Sequence, residues 1–275
     1  MTLSYTELSR MLETAVVAAR LGGQRAMEEL RYVSRTQKTG TELVTQADPI
    51  CQKIIIDRIR EAYPDHGFVA EEGSDGKPLK WLPRGDEAIW WVIDPIDGTN
   101  NYANGLLCFS VSIAAFFDGR PVAAVIFDPS TESMFTAVRD GDAQLNTARI
   151  NVNADTIDPF AQFAIDSNTN PLTDEGVGQM MTTCRVRCLG STALHLAYVA
   201  RGALVGAIAH SARLWDIAAG ILLIEQAGGQ VTDLQGNALP AFNLSEHEGS
   251  KYPILASNRK MHKKLISVFQ QNISD

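Results

Sequence analysis

The chain has 275 residues, 45% hydrophobic and 20% charged, an ordinary globular composition that excludes long disordered stretches. With 24 basic and 32 acidic residues its net charge is −8, so it is not built to coat nucleic acid and no nucleic-acid partner is expected. No apolar stretch is long enough to span a bilayer, no basic-then-apolar leader opens the sequence, and four cysteines without zinc-type spacing fit reduced thiols in a cytoplasmic protein.

Ser4 to Glu7 reads as a capping box. Behind it Leu8, Met11, Leu12, Ala15, Val16 and Ala19 recur at helical spacing, which predicts an amphipathic helix reaching the Leu30 region past Gly22-Gly23. Ser34 to Thr41 is a polar segment. Asp48-Pro49 then opens a second helix, with Asp48 as N-cap, Pro49 as first residue and Ile50, Ile54, Ile55 and Ile59 on the apolar face. Gly67 to Ala70 is a short strand ending in Glu71-Glu72-Gly73, and a polar loop from Ser74 to Gly85 follows. Trp90 to Ile93 has the aromatic and β-branched content of a buried strand, and it ends abruptly in Asp94-Pro95-Ile96-Asp97-Gly98-Thr99-Asn100.

Strands are predicted over Val111 to Phe117, Val122 to Phe127 and Met134 to Val138, with turns at Asp118-Gly119, Asp128-Pro129-Ser130 and Asp140-Gly141-Asp142. The second half alternates: strand Phe160 to Asp166, helix Thr173 to Met181, strand Cys184 to Cys188, helix Ser191 to Arg201, strand Leu204 to Ala209. A helix from Leu214 to Gln226 closes at Gly228-Gly229, Val231 to Asp233 and Ile254 to Ala256 are late strands, and His262 to Gln271 is a final helix. Four strand steps put the Cα atoms of Cys184 and Cys188 about 13 Å apart, too far for a disulfide. There is no internal repeat, heptad array or low-complexity linker. The expectation is one domain over residues 1–275, with a change of pattern near residue 150 that allows a sub-domain boundary.

Taken singly, each acidic residue has a plain explanation. Asp48 suits an N-cap, Asp97 a turn before Gly98, Asp216 the first turn of a helix, and Glu71 and Glu72 a solvated loop. Asp94 is harder to dismiss, because it closes a buried strand whose turn chemistry Pro95, Asp97 and Gly98 already serve. As a set they point further. Glu71 and Asp94 both end apolar strands, Asp97 follows across one tight turn, and Gly98-Thr99-Asn100 offers backbone N–H groups to an anion. Hard divalent cations take oxygen ligands, and carboxylates beside an N–H cradle are the components of metal-assisted phosphoryl chemistry. The five histidines are scattered without a paired motif, which disfavours zinc and covalent serine mechanisms.

The segment Asp94-Pro95-Ile96-Asp97-Gly98-Thr99-Asn100-Asn101-Tyr102 resembles the first signature of the inositol monophosphatase family. Trp215-Asp216-Ile217-Ala218-Ala219-Gly220, followed by Glu225-Gln226-Ala227-Gly228-Gly229, resembles the second. Glu71-Glu72, Leu43-Val44-Thr45-Gln46-Ala47-Asp48 and the substrate-side segment Gly190-Ser191-Thr192-Ala193 resemble further blocks, in order from about residue 8 to residue 270.

The resemblance implies an α/β fold, the layered αβαβα sandwich of sugar phosphatases, usually as a homodimer. It implies hydrolysis of a small phosphate monoester, inositol monophosphate by default, with Mg2+ as cofactor and lithium as inhibitor. Glu71, Asp94 and the Ile96 carbonyl would hold one magnesium; Asp94, Asp97 and Asp216 would hold a second; Glu71 would also help a looser third. Thr99 and Asp48 would orient and deprotonate the attacking water, while the Gly98 and Thr99 N–H groups would hold phosphate and Ser191 and Thr192 face the substrate. Lys38 either lies near the metal entrance or is simply solvated.

One position departs from the pattern. Family members acting on inositol phosphate carry a glutamate several residues before the Trp-Asp pair, and here that place falls on Ala209 or His210. His210 and Arg213 either recognise something else, such as a second phosphate or a nucleotide, or face solvent and support the helix start. Rival substrates are histidinol phosphate, 3′-phosphoadenosine 5′-phosphate, NADP and fructose 1,6-bisphosphate. A reading of another class is binding to the transcription or ribosome-assembly machinery, as some bacterial relatives do.

Overall fold

Where the sequence signals are local and strong, the elements form as expected. The computed structural model describes residues 3–39, 42–74, 77–84, 88–154, 156–169 and 174–270. Ser4 Oγ accepts from the Glu7 N–H at 3.3 Å, and Glu7 accepts from the Ser4 N–H at 2.7 Å, closing the capping box. It starts α1 (Tyr5–Glu29), whose buried stripe runs from Leu8 to Ala26.

The polar segment from Ser34 to Thr41 is not a plain loop. It forms most of a hairpin, β1 (Arg35–Thr39) against β2 (Glu42–Thr45), with Gly40 and Thr41 outside the described residues. Such a hairpin stands on ladder hydrogen bonds, so apolar periodicity does not reveal it. Lys38 falls in β1, and its side chain is outside the described set. α2 (Ala47–Ala62) is capped at Gln46, which corrects the expected role of Asp48. Asp48 lies inside the first turn, where its Oδ2 accepts from the Thr45 N–H at 2.9 Å and the Thr45 hydroxyl at 2.6 Å.

β3 (Gly67–Ala70) is followed by β4 (Leu79–Trp81), which interrupts the expected Ser74–Gly85 loop; Gly85 is outside the described residues. Next come β5 (Trp90–Asp97), α3 (Thr99–Ala103), β6 (Ser110–Phe117), β7 (Arg120–Asp128) and β8 (Ser133–Val138). Short strands β9 (Gln144–Leu145) and β10 (Ala148–Arg149) follow. The alternating part comprises β11 (Gln162–Ile165), α4 (Glu175–Thr183), β12 (Arg185–Arg187), α5 (Thr192–Ala200), β13 (Gly206–Arg213) and α6 (Leu214–Gln226). It ends with β14 (Gly229–Thr232), β15 (Lys251–Asn258) and α7 (Arg259–Gln270). Thr173 and Gln271, expected at helix ends, lie outside the described residues.

An eight-stranded sheet has the order β10-β9-β8-β7-β6-β5-β3-β4, and a five-stranded sheet has the order β12-β11-β13-β15-β14. Successive strand residues face opposite sides, and the apolar contacts sort accordingly. Trp91, Ile93, Ile113 and Val125 pack on α1 and α2, while Val92, Ala114, Phe116 and Ala124 pack on α5 and α6. Ala207, Ala209 and Ala256 of the smaller sheet cover the other side of α5 and α6. Its far face, with Phe163, Ile208 and Leu255, packs on α4 and α7. The result is five layers, αβαβα. Strand β5 is buried along its whole length because helices cover both faces.

Candidate functional site

An irregularity in the larger sheet builds the site. Asp94 pairs with Ser112 and Asp97 with Ser110, so three steps along β5 face two along β6. In a regular strand residues three apart point to opposite faces. The extra residue, at Pro95-Ile96, is a bulge that brings both carboxylates to one side, and Pro95 has no N–H to lose from the ladder. Asp94 Oδ1 accepts from the Ile96 N–H at 3.0 Å, which holds the bulge. β3 runs parallel to β5 with Ala70 beside Ile93, and the Glu71 N–H continues that ladder to the Ile93 carbonyl at 3.2 Å. Glu71 and Asp94 therefore leave adjacent strands at the same end.

The middle helices bring the other groups. Asp216 lies in the first turn of α6, with Oδ2 accepting from the Arg213 N–H at 2.7 Å. Asp97 meets the N-terminus of α5: it accepts from the Ala193 N–H at 2.8 Å, the Thr192 N–H at 3.3 Å and the Ser191 hydroxyl. A helix N-terminus favours an anion, so α5 orients Asp97 and partly neutralises it. Ser191 and Thr192, expected on the substrate side, thus hold Asp97; Thr192 also lines the cleft, and Ser191 is buried. One oxygen each from Asp94, Asp97 and Asp216 lies within 4.8 Å of the others, the one such set of acid, histidine or cysteine ligands among the described residues.

Burial pushes Asp94 far above the ordinary carboxylate range, and the charges of Glu71 and Asp97 push it further. Asp216 is raised in the same way, by burial and then by Asp97 and Glu71. Burial takes Asp97 up to about 6, although Ser191 and the α5 N–H groups work against it. Asp48 also rises to about 6 through burial, opposed by its bonds from Thr45. Crowded buried acids disfavour their own ionisation, and a cation among them would favour it and pull these pKa values down. Glu71 is outside the 4.8 Å set, yet it raises both Asp94 and Asp216 and lines the same cleft. The Thr99 hydroxyl lies 3.3 Å from Asp48 Oδ1 and 3.0 Å from the Ile96 carbonyl, linking α2 to the bulge.

Glu71 and Asp216 line a cleft of about 240 Å³ together with Gly98, Thr99 and Asn100, while Asp48, Asp94 and Asp97 are buried behind its lining. First-turn N–H groups of a helix have no helical acceptor, so the start of α3 suits an anion. Gly98 has φ +99°, and a Cβ there would come to 3.1 Å from the Cys108 carbonyl and 3.2 Å from that of Gly190. Only glycine fits without strain.

Arg213 also lines the cleft and donates to the Gly249 carbonyl. His210 is not among the lining residues. Its ring lies 2.9 Å from Asp174 and 2.9 Å from the Thr169 hydroxyl, and its bond with Asp166 raises its pKa. Ala209 is buried against the middle layer.

Sequence reasoning missed Thr45, which holds Asp48, and Asn101, whose amide donates to the Cys108 carbonyl at 2.7 Å and the Leu189 carbonyl at 2.6 Å. It also missed Asp166, which lines the cleft. The signal was present there: like Asp94, Asp166 is a carboxylate at the exit of an apolar strand.

The family model described as inositol monophosphatase family matches residues 7–274. The chain is 36% identical over 241 residues to the Nus factor SuhB of Vibrio cholerae, covering 82% of this chain and 86% of that one. It is 33% identical over 279 residues to the inositol-1-monophosphatase of Rhizobium meliloti, covering 98% and 99%. Among solved structures, the Thermotoga maritima IMPase matches with a TM-score of 0.83 at 31% identity, covering 95% of this chain and 97% of that one. With its fold and acidic cluster alike, the chain belongs to the inositol monophosphatase family, a family of metal-dependent phosphatases.

Proposed function

We propose that the protein is a magnesium-dependent phosphomonoesterase, with inositol monophosphate as its leading substrate. The carrying observation is the set Asp94, Asp97 and Asp216, whose oxygens lie within 4.8 Å beside the start of α3. The donor set fits a hard divalent ion, since it offers carboxylate oxygen and neither sulfur nor imidazole. Bound there, magnesium would neutralise phosphate charge and lower the pKa of the attacking water.

In this reading Glu71, Asp94 and the Ile96 carbonyl hold one ion, and Asp94, Asp97 and Asp216 hold another. The Gly98 and Thr99 N–H groups orient the phosphate. Thr99 and Asp48 position the water and receive its proton, the Thr99 hydroxyl lying 3.3 Å from Asp48 Oδ1. Phosphoryl transfer needs mainly such positioning and charge neutralisation. A single domain, a homodimer, a cytoplasmic location and inhibition by lithium at the Asp216 site belong to the same proposal.

The test is phosphate release, with magnesium and with chelator, from inositol 1-phosphate, histidinol phosphate, 3′-phosphoadenosine 5′-phosphate, NADP and fructose 1,6-bisphosphate. A magnesium-dependent preference for inositol 1-phosphate supports the reading. A preference for another of the esters keeps the chemistry and replaces the substrate, and release from none overturns the proposal. Unchanged turnover in millimolar lithium at limiting magnesium would argue against the Asp216 assignment.

Relatives named Nus factor SuhB motivate a second reading, association with transcription machinery. Capture of RNA polymerase by both wild type and Asp94→Asn, with negligible turnover in either, would favour it; no capture by either would remove it.

A further inference from the structure

The cleft is also lined by the turn after β11 and by an irregular part of β13. These strands run parallel with Ile165 beside Ile208, so Asp166 leaves β11 level with Ala209 and His210. Between Ala209 and Ala212, β13 bulges away from its register with β15. The His210 N–H there donates to Asp166 Oδ2 at 2.8 Å. Asp166 Oδ1 accepts from the Thr169 hydroxyl and lies 3.8 Å from His210 Nδ1. Next along the turn, the Asn168 amide donates to the Ser211 hydroxyl at 3.0 Å and ties the two segments together.

Asp166 is thus locked in orientation, and these bonds from His210 and Thr169 keep its pKa low although burial works against them. A carboxylate has about four acceptor positions, more than the three protein groups use. Its side chain is only 7% exposed, and it lines the cleft with Ser167 and Asn168. A fixed anionic acceptor suits a hydroxyl group and repels a second phosphate.

We propose that Asp166 reads the alcohol half of the substrate, its carboxylate accepting a hydroxyl of a cyclic polyol monophosphate in the cleft that Glu71 and Asp216 also line. This rests on the phosphomonoesterase reading above and adds the residue that selects the alcohol. The acceptor stands one strand away from the Ala209/His210 position, just after β11 instead of on β13.

The test compares inositol 1-phosphate with cyclohexyl phosphate, which has the same ring and phosphate without hydroxyls, in the wild type and in Asp166→Ala, which removes the acceptor. The wild type is expected to prefer the polyol by at least roughly 10-fold in kcat/KM. That preference is expected to fall roughly 10- to 100-fold in the variant, because a site built to bond a substrate hydroxyl discriminates strongly against an analogue lacking it. A wild type without preference overturns the inference even if Asp166→Ala fails to fold. A variant that keeps the full preference, whether or not both rates fall together, overturns it too. Failure of the phosphatase reading looks different: neither ester then releases phosphate from the wild type in magnesium, and the inference falls with it.

Discussion

Asp94 keeps one oxygen on the Ile96 N–H while it is buried beside Glu71, Asp97 and Asp216. Asparagine can accept the same bond without the charge. Asp94→Asn is therefore expected to lower magnesium-dependent turnover by roughly 100-fold or more, and to raise the Tm of the metal-free protein. The rise should be about 2–4 °C per kcal/mol of repulsion relieved in a chain near this size. A variant that keeps wild-type turnover, or whose metal-free Tm falls, contradicts this account. The pH dependence follows from the same crowding. Asp48 and Asp97 have folded pKa values of about 6 against an ordinary 3.8, so the folded state holds protons that the unfolded state has released. The stability linked to them is fully present below about pH 4 and is lost as pH rises through 6. Asp166, whose pKa is lowered, acts in the opposite sense but below that window. His66 and His195, which burial lowers to about 4, act in the opposite sense between pH 4 and 6.5, so the test is a difference: in chelator, the Tm of the wild type minus that of Asp48→Asn should fall from pH 4 to pH 7, and saturating magnesium should flatten that slope. A difference that rises over this range would remove the explanation.

At the scale of elements, α5 and α6 set the separation of two site acids: α5 holds Asp97 at its N-terminus, and α6 carries Asp216 in its first turn. They pack through Gly220, where an added Cβ would lie 2.4 Å from Leu196 Cδ1 and 2.5 Å from Leu196 Cβ. Gly220→Ala is expected to cost about 1–3 kcal/mol through overpacking, and to weaken magnesium binding by moving Asp97 relative to Asp216. Urea denaturation and a magnesium titration measure the two effects; lost stability with unchanged affinity would separate the helices from the site. These helices were legible in sequence because an N-terminal Ser191 and an α6 run ending at Gly228-Gly229 are local signals. The β1–β2 hairpin and β4 were not, since neither carries an apolar pattern of its own.

Across the whole molecule, the site joins layers that are distant in the chain. Asp94 and Asp97 come from the eight-stranded sheet, and Asp216 comes from the helical layer between the sheets. Magnesium bound by all three would link these layers. Binding to the folded state alone stabilises it by about 2.7 kcal/mol at 100 times Kd, so magnesium should raise the wild-type Tm by several degrees. Asp216→Asn should abolish most of that rise, and a variant with the full rise would exclude Asp216 as a ligand.

Short-range pattern in the chain was enough to determine that two carboxylates end a buried strand at a Pro/Gly turn, that strands and helices alternate after residue 160, and that Glu71 and Asp94 end comparable strands. These features depend on residues a few positions apart, and burial, turn and capping preferences act at that range. The tertiary structure alone decided that a bulge turns Asp94 and Asp97 to one side, that α5 caps Asp97, that Asp48 leaves the N-cap role to face Thr99, and that Asp166 reaches the cleft. Each depends on strand register or on contact between elements far apart in sequence, where a one-residue shift changes the face a side chain occupies.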